Sequence, residues 1–190
     1  MHTYENFAKL AQSEVEHIDY QILCVSRNTE ITVLAIHGGT IEPGTSELAS
    51  DIAEALHASF YTFQGLKNNP KLHITSARFD EPRAVALVQT SSYVVSVHGA
   101  YGDTAVTYIG GNDEELKQVA TANLLDAGFL VKEAPHEING DSPKNIVNRS
   151  KKGRGLQLEL TKAQRKLLQM SMQAYDAYVH AIVQAVKKVM

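Results

Sequence analysis

The chain has 190 residues, of which 44% are hydrophobic, and it carries a formal net charge of −3. This length and composition fit one domain, residues 1–190, with a substantial core. The negative charge argues against a general nucleic-acid-binding surface, and no apolar run approaches the roughly 18 residues that cross a bilayer. No signal peptide is evident at the amino terminus. We therefore expect a protein without membrane contacts, in the cytoplasm or released by cell lysis, and favour a monomer.

Segments rich in β-branched residues alternate along the chain with segments of helical periodicity. Strands are predicted at 20–26, 31–37, 59–65, 93–99, 105–111, 129–133 and 156–160. Helices are predicted at 46–56, 82–89, 114–127 and 163–189. The last helix follows a capping box formed by Thr161 and Gln164. This alternation predicts an α/β fold, an open mixed β-sheet flanked by helices, and residues 134–154 are expected to form a loop.

The single cysteine, Cys24, lies within the first predicted strand. One cysteine cannot form an internal disulfide or a cysteine-based metal site. Its context, YQILCV, predicts a buried apolar side chain with a packing role.

Two predicted strands end in the same way. The sequences ITVLAIHGG and YVVSVHGA place His37 and His98 at the carboxyl ends of their strands, each followed by glycine. Ligands of open α/β sheets bind beyond the carboxyl ends of strands, and glycine there permits a close approach by another atom. Glu42 lies in the next loop, before a helix that Thr45 or Ser46 should cap. Two imidazoles, a carboxylate and water are the usual ligands of a catalytic zinc ion.

The same residues have other interpretations. His37 and His98 could be packed or hydrogen-bonded core residues, although the duplicated strand, histidine and glycine pattern favours a site. The HGGTIE loop is also compatible with an anion-binding module at a helix amino terminus. His73 lies beside polar residues that could line the same cleft. The remaining histidines give no contextual signal: His2, His17, His57, His136 and His180.

A second candidate carboxylate lies in the predicted strand LQLEL. Gln157 and Glu159 share one face of this strand, and the leucines share the other. Glu159 could point into the cleft and act as the general acid/base that hydrolysis at a zinc centre requires. The competing interpretation is a solvent-facing residue on a half-exposed strand.

A basic stretch lies directly before this strand. It contains, with no acidic residue between them, Lys144, Arg149, Lys151, Lys152 and Arg154. Such a run is usually a solvated loop, but here it could bring guanidinium groups to substrate carboxylates. Arg78 and Arg83 offer a second source of guanidinium groups. Asp80 and Glu81 could orient a metal-bound imidazole through its other nitrogen.

Six segments together resemble the poly-γ-glutamate hydrolase family of bacteriophages and bacilli. In chain order they are IHGGTIEPGTSELA, LHITSARFDEPRA, VVSVHGA, TYIGG, NIVNR and GLQLELT. The resemblance spans about residues 20–189 and implies a zinc carboxypeptidase-like fold with one Zn2+ ion. It implies zinc bound by His37, Glu42 and His98, with Glu159 as general acid/base. It also implies a polymeric substrate, poly-γ-glutamate, in a cleft containing several Arg and Lys side chains.

Further residues complete the expected site. We assign Arg83 to polarising the scissile carbonyl. We assign four residues to binding substrate carboxylates: Arg78, Asn145, Arg149 and Arg154. In zinc carboxypeptidases the first His and Glu ligands are three positions apart, whereas His37 and Glu42 are five apart, so the loop between them must differ in shape. Two alternatives stay open: the same chemistry on a small γ-glutamyl or N-acyl amino acid, and a metal-free anion-binding module.

Overall fold

The computed structural model describes residues 4–190, which form a seven-stranded mixed sheet with helices on both faces. The strands are β1 (Tyr20–Val25), β2 (Ile31–Gly39), β3 (Ser59–Gly65), β4 (Tyr93–Ala100), β5 (Thr107–Gly111), β6 (Val131–Glu133) and β7 (Leu156–Thr161). The helices are α1 (Phe7–Ala11), α2 (Thr45–Ala55), α3 (Pro82–Gln89), α4 (Glu114–Asp126), α5 (Lys162–Met170) and α6 (Met172–Val189). Two short 3-10 helices are Pro70–Leu72 and Ile146–Asn148. The predicted α/β class with a mixed sheet is confirmed.

The topology of the sheet brings several strand ends together. The strand order is β1-β3-β2-β4-β7-β5-β6. The four adjacent strands β3, β2, β4 and β7 run parallel, whereas β1 and β5 pair antiparallel with β3 and β7. The carboxyl ends of the four parallel strands therefore lie along one edge of the sheet, where α/β proteins bind their ligands.

Apolar side chains cover both faces of the sheet. Along β2, Val33 and Ala35 join the core layer that packs against α2, α4, α5 and α6, whereas Leu34 and Ile36 join the layer that contains residues of α1 and α3. This alternation is the two-residue period of a strand covered on both sides. All six residues of β7 are buried. Polar side chains on the central strands are therefore withdrawn from bulk water unless they reach the open edge of the sheet.

The predicted helix 163–189 is divided at Ser171. This residue has extended backbone angles, and its hydroxyl accepts a hydrogen bond from Ala174 N, which starts α6 as a separate helix. Thr161 caps α5 as predicted, but the buried amide of Gln164 makes no hydrogen bond, so the capping box is half formed. None of the helices in residues 4–190 has the length and apolarity needed to span a membrane.

The predicted cap of α2 was wrong. Gly44 precedes this helix with a φ of +94°, and no side chain caps it. The Thr45 hydroxyl donates to Glu42 O over 2.8 Å, and the Ser46 hydroxyl shares a 2.8 Å hydrogen bond with Thr62. Both hydroxyls therefore stabilise the ligand loop and its contact with β3 instead of the first turn of the helix.

The predicted burial of Cys24 was also wrong. Cys24 is exposed, together with its neighbours Leu23 and Val25. The cause is topological, because β1 is one of the two edge strands of the sheet and its second half lacks cover. An apolar, β-branched run identifies a strand without showing whether helices cover it.

Gly39 permits a close approach between the ends of β2 and β3. Its φ is +63°, and an added Cβ would lie 2.4 Å from Gly65 O. Gly128 has a similar φ of +86°, but an added Cβ there would meet nothing within 4 Å. An alanine at Gly128 would suffer backbone strain alone, whereas an alanine at Gly39 would suffer both backbone strain and steric overlap.

We predict that Gly128→Ala lowers the free energy of unfolding by about 1 kcal/mol, through left-handed strain alone. Gly39→Ala should cost a further 1–3 kcal/mol or so, because its Cβ overlaps a backbone atom that cannot rotate away. Denaturant unfolding of both variants measures the difference. Equal losses would contradict the close approach of β2 and β3.

Candidate active site and metal centre

His37, Glu42 and His98 meet at the carboxyl ends of β2 and β4. His37 Nδ1 lies 3.0 Å from Glu42 Oε1 and 3.1 Å from His98 Nδ1. Glu42 Oε2 lies 3.7 Å from His98 Nδ1, and all three residues are buried. Ligand bonds of about 2.0–2.2 Å in a tetrahedral zinc site separate neighbouring donor atoms by about 3.4 Å. The observed donor atoms and spacings therefore fit a single divalent cation.

Each imidazole is oriented through its other ring nitrogen. His37 Nε2 lies 2.7 Å from Ile74 O, and because a carbonyl only accepts, this nitrogen carries the proton and donates. His98 Nε2 lies 2.9 Å from Ser96 Oγ on the same strand. A register irregularity in β2, between Ala35 and Gly38, coincides with His37. These contacts leave both Nδ1 atoms directed at Glu42, as metal-ligating imidazoles require.

The loop after β2 returns Glu42 to the histidines. Glu42 N donates to His37 O over 2.9 Å, closing the five-residue separation, and Glu42 Oε2 accepts a 2.7 Å hydrogen bond from Gly99 N. The predicted orienting carboxylates lie elsewhere. Asp80 accepts a hydrogen bond from Phe7 N, and Glu81 caps α3 through Ala84 N. The prediction that Asp80 or Glu81 supports an imidazole was therefore wrong.

The charges in this cluster favour a bound cation. Burial opposes the imidazolium form of His37, but the adjacent Glu42 carboxylate outweighs it and raises the pKa of His37. Burial alone would raise the pKa of the Glu42 carboxyl, yet the imidazole of His37 holds it well below its usual range. Burial lowers the pKa of His98 to about 3, so this imidazole stays neutral. An ionised carboxylate and a neutral imidazole are thus ready to ligate a metal.

A third imidazole adjoins the cluster. The rings of His73 and His37 stack with centroids 3.8 Å apart, and His73 Nε2 lies 3.4 Å from Glu42 Oε1. The donor atoms of His37, Glu42 and His73 lie within 4.8 Å of one another, so this set could also hold an ion. The His73 side chain is 39% exposed and its ring stacks on His37, whereas His98 is buried and its Nδ1 lies 3.1 Å from His37 Nδ1. The burial of His98 and the edge-on approach of its Nδ1 to His37 Nδ1 favour His98 over the stacked His73 as the third ligand.

A cavity of about 780 Å³ opens above the cluster. Glu159 lines it and lies opposite His98 in the register of β4 and β7. Glu159 is only 7% exposed, and its Oε1 accepts a 3.0 Å hydrogen bond from Gln157 Nε2. Gln157 in turn accepts a 2.8 Å hydrogen bond from Asn145, which also lines the cavity. The alternative of a solvent-facing Glu159 was wrong, because β7 is a central strand.

Burial raises the pKa of Glu159 to about 9, and the negative charge of Glu42 adds to this effect. The hydrogen bond from Gln157 and the charge of Arg165 oppose it only in part. A carboxyl group in this environment binds a proton readily and can also release it to a stronger base. The cavity thus combines a candidate metal centre with a candidate proton carrier.

The predicted arginines do not line this cavity. Arg83 Nε donates to Glu81 Oε1 over 2.8 Å, and its Nη2 lies 3.2 Å from Glu16. The role predicted for Arg83 in polarising a carbonyl therefore has no support in its position. Arg154, at the amino end of β7, has its Nε 3.3 Å from Asp113. It lies at the end of the strand remote from Glu159.

Arg149 joins two loops. Its Nη1 donates to Phe79 O over 3.0 Å, and its Nη2 donates to Ala77 O over 3.1 Å and to Lys144 O. These bonds engage the guanidinium in holding backbone, which corrects the expected role in binding substrate carboxylates. Arg78 is exposed in the turn that follows Thr75. Thr75 lines the cavity, whereas Arg78 does not. Of the predicted substrate-binding residues, Asn145 alone lines the cavity.

Arg165 was missed by the sequence analysis. Among the Lys and Arg side chains of residues 4–190, it alone lines the cavity. Its guanidinium donates to three backbone carbonyls, those of Leu160 (3.3 Å), Pro43 (2.9 Å) and Ala100 (3.4 Å). An arginine on an amphipathic helix gives no signal in the sequence beyond its position six residues after Glu159. His136, which also gave no signal, lines the cavity as well.

Proteins of known structure and sequence resemble this chain along most of its length. A bacteriophage poly-gamma-glutamate hydrolase of known structure is 32% identical, with a TM-score of 0.94 over 100% of this chain and 98% of that chain. A zinc-free apo structure of YndL is 33% identical, with a TM-score of 0.86 over 97% and 96% of the two chains. The UPF0714 protein YndL of Bacillus subtilis (strain 168) is 39% identical over 87% of this chain and 66% of its own length, just under two thirds of that relative.

The family model also covers nearly the whole chain. It describes poly-gamma-glutamate hydrolase and matches residues 4–183, a range that includes the two histidines, both glutamates and Arg165. The chain therefore belongs to the poly-γ-glutamate hydrolase family.

Proposed function

We propose that the protein hydrolyses γ-glutamyl amide bonds of poly-γ-glutamate, with zinc held by His37, Glu42 and His98. One observation carries this proposal: two imidazole Nδ1 atoms and a carboxylate lie within 3.0–3.7 Å of one another beside a cavity that Glu159 also lines. Membership of the family supports the substrate, and the zinc-free form of YndL supports the metal. When bound, zinc supplies a Lewis acid that polarises a carbonyl and lowers the pKa of water from about 15.7 to about 7.

Glu159 moves the proton in this proposal. Its carboxylate accepts a proton from the attacking water, and its carboxyl then delivers that proton to the departing nitrogen. Burial and the charge of Glu42 raise the pKa of Glu159 to about 9, which favours the protonated form needed for the second transfer. A cation held by Glu42 would offset that charge and favour the carboxylate form needed for the first transfer. Gln157 holds Oε1 in place, so that the carboxyl group keeps one orientation in both steps.

The cavity has the size of an ordinary ligand-binding cleft. Its volume of about 780 Å³ falls within the range of about 300–1,000 Å³ that is typical of ligand-binding clefts. Exposed residues of the loop 134–154 form one wall. A short stretch of a flexible, unbranched polymer can enter a cleft of this kind from the side.

The first prediction from this proposed function concerns the metal. Zinc-loaded protein should shorten poly-γ-glutamate in gel filtration, a chelator should stop the reaction, and added zinc should restore it. His98→Ala should lose both stoichiometric zinc and turnover, because one of three protein ligands is removed. Metal analysis and product size measure the two effects. The exposed His180 on α6 provides a matched control, since His180→Ala should keep both properties.

A second prediction separates the two candidate ligand sets. His73→Ala should retain zinc at one equivalent, because the buried His98 Nδ1, 3.1 Å from His37 Nδ1, completes the set. Competition with a chromogenic chelator gives the zinc affinity of each variant. Retention of zinc by His98→Ala together with its loss from His73→Ala would reject the assigned ligands in favour of His73.

A third prediction isolates the proton carrier. Glu159→Gln should bind zinc normally, while the rate of cleavage falls by about 10²–10⁴-fold, the usual contribution of general acid–base catalysis. Steady-state cleavage at saturating polymer measures this loss. Glu133→Gln, at an exposed position of β6, is the control for the same chemical change. A Glu159→Gln enzyme with the parent rate would remove Glu159 from the mechanism.

A further inference from the structure

We infer that Arg165 binds an α-carboxylate of the substrate beside the scissile bond, so that the site selects γ-linked polymers whose α-carboxylates are free. This inference rests on the proposed function and specifies the substrate group that the site recognises. It follows from the position of Arg165, from its spare hydrogen-bond donors and from the charges around it.

The guanidinium of Arg165 lies where the three functional segments meet. Its acceptors are Pro43 O, Ala100 O and Leu160 O. Pro43 directly follows Glu42, Ala100 lies two residues after His98, and Leu160 directly follows Glu159. The side chain is therefore fixed to the ends of the segments that carry two candidate ligands and the candidate proton carrier.

Gly99 provides the space for this guanidinium. An added Cβ at Gly99 would lie 2.8 Å from Arg165 Cζ, 3.0 Å from Arg165 Nε and 3.0 Å from Glu42 Cβ. The guanidinium thus packs on the backbone of the residue after His98, alongside Glu42. The sequence predicts a close approach at this glycine, and the structure identifies Arg165 as the group that makes it.

The hydrogen bonds of Arg165 leave donors for a ligand. A guanidinium has five N–H groups, and the three backbone carbonyls engage one on Nε, one on Nη1 and one on Nη2. One N–H therefore remains on each terminal nitrogen. With one free donor on each of its two terminal nitrogens, a guanidinium can bind a carboxylate.

The charges of the cavity favour this contact. Four carboxylates line the cavity, those of Glu42, Glu137, Asp141 and Glu159, whereas Arg165 is the single Lys or Arg side chain to do so in residues 4–190. Poly-γ-glutamate carries a carboxylate on each residue, including the Cα bonded to the scissile nitrogen. Among the Lys and Arg side chains of residues 4–190, Arg165 is therefore the one placed to pair with a substrate carboxylate that enters this acidic cavity.

The test compares two γ-linked glutamyl oligomers, one with free α-carboxylates and one with α-carboxamides. The parent enzyme should prefer the carboxylate oligomer. Arg165→Gln should lower kcat/KM for that oligomer by about 10- to 100-fold, the usual worth of hydrogen bonds to a charged group, with little change for the carboxamide oligomer. Arg165→Lys should recover part of the preference. Lys166→Gln, which removes an exposed positive charge from the next position of α5, should match the parent.

Direct binding makes the test independent of turnover. Calorimetry on the Glu159→Gln protein gives the dissociation constant of each oligomer with and without the Arg165→Gln change. Selective weakening of the carboxylate oligomer supports the inference, whereas equal weakening of both oligomers, or unchanged binding, overturns it. Unfolding curves and zinc content of Arg165→Lys show whether any loss reflects misfolding. A parent enzyme that binds the carboxylate oligomer through Arg165 but cleaves neither would overturn the proposed hydrolysis and leave this inference standing.

Discussion

The hydrogen bond between His37 Nε2 and the carbonyl of Ile74 determines the arrangement of the site. Because the carbonyl only accepts, the proton of a neutral His37 stays on Nε2 and the lone pair of Nδ1 points at Glu42 and His98. The Ser96 hydroxyl holds His98 Nε2 from within β4. Burial then strengthens the electrostatic interactions among these groups, since the surrounding medium screens them less than water would. The result is a buried, hydrogen-bonded set of donor atoms whose arrangement suits a bound cation.

The parallel strands explain how distant parts of the chain reach this point. His98 and Glu159 lie opposite each other in the register of β4 and β7, although 61 positions separate them in the sequence. The basic loop before β7 has a different part in this arrangement from the one expected. Arg149 donates hydrogen bonds to Ala77 O and Lys144 O, and these bonds hold together two loops beside the cavity. The basic side chain that does line the cavity, Arg165, comes from α5 and is the one that we infer binds the substrate.

The sequence was informative where backbone pattern decides the outcome. Period-two strands, the histidine and glycine pairs and the face of Glu159 follow from local rules, and they place these groups at one edge of the sheet. Side-chain partners across the fold do not follow from such rules. Arg149 finds carbonyls about 70 positions away, Arg83 finds Glu16, and Cys24 is exposed because β1 is an edge strand. A run of basic residues in the sequence therefore does not show which groups their side chains will bind in the fold.

The central claim is that one cation lies between His37, Glu42 and His98, and anomalous diffraction from crystals of the zinc-loaded protein tests it most directly. We expect one strong peak at the zinc absorption edge, within about 2.0–2.2 Å of both Nδ1 atoms and a Glu42 oxygen. A peak bonded to His73 with His98 left free, or the absence of a peak from crystals grown with excess zinc, would contradict the account.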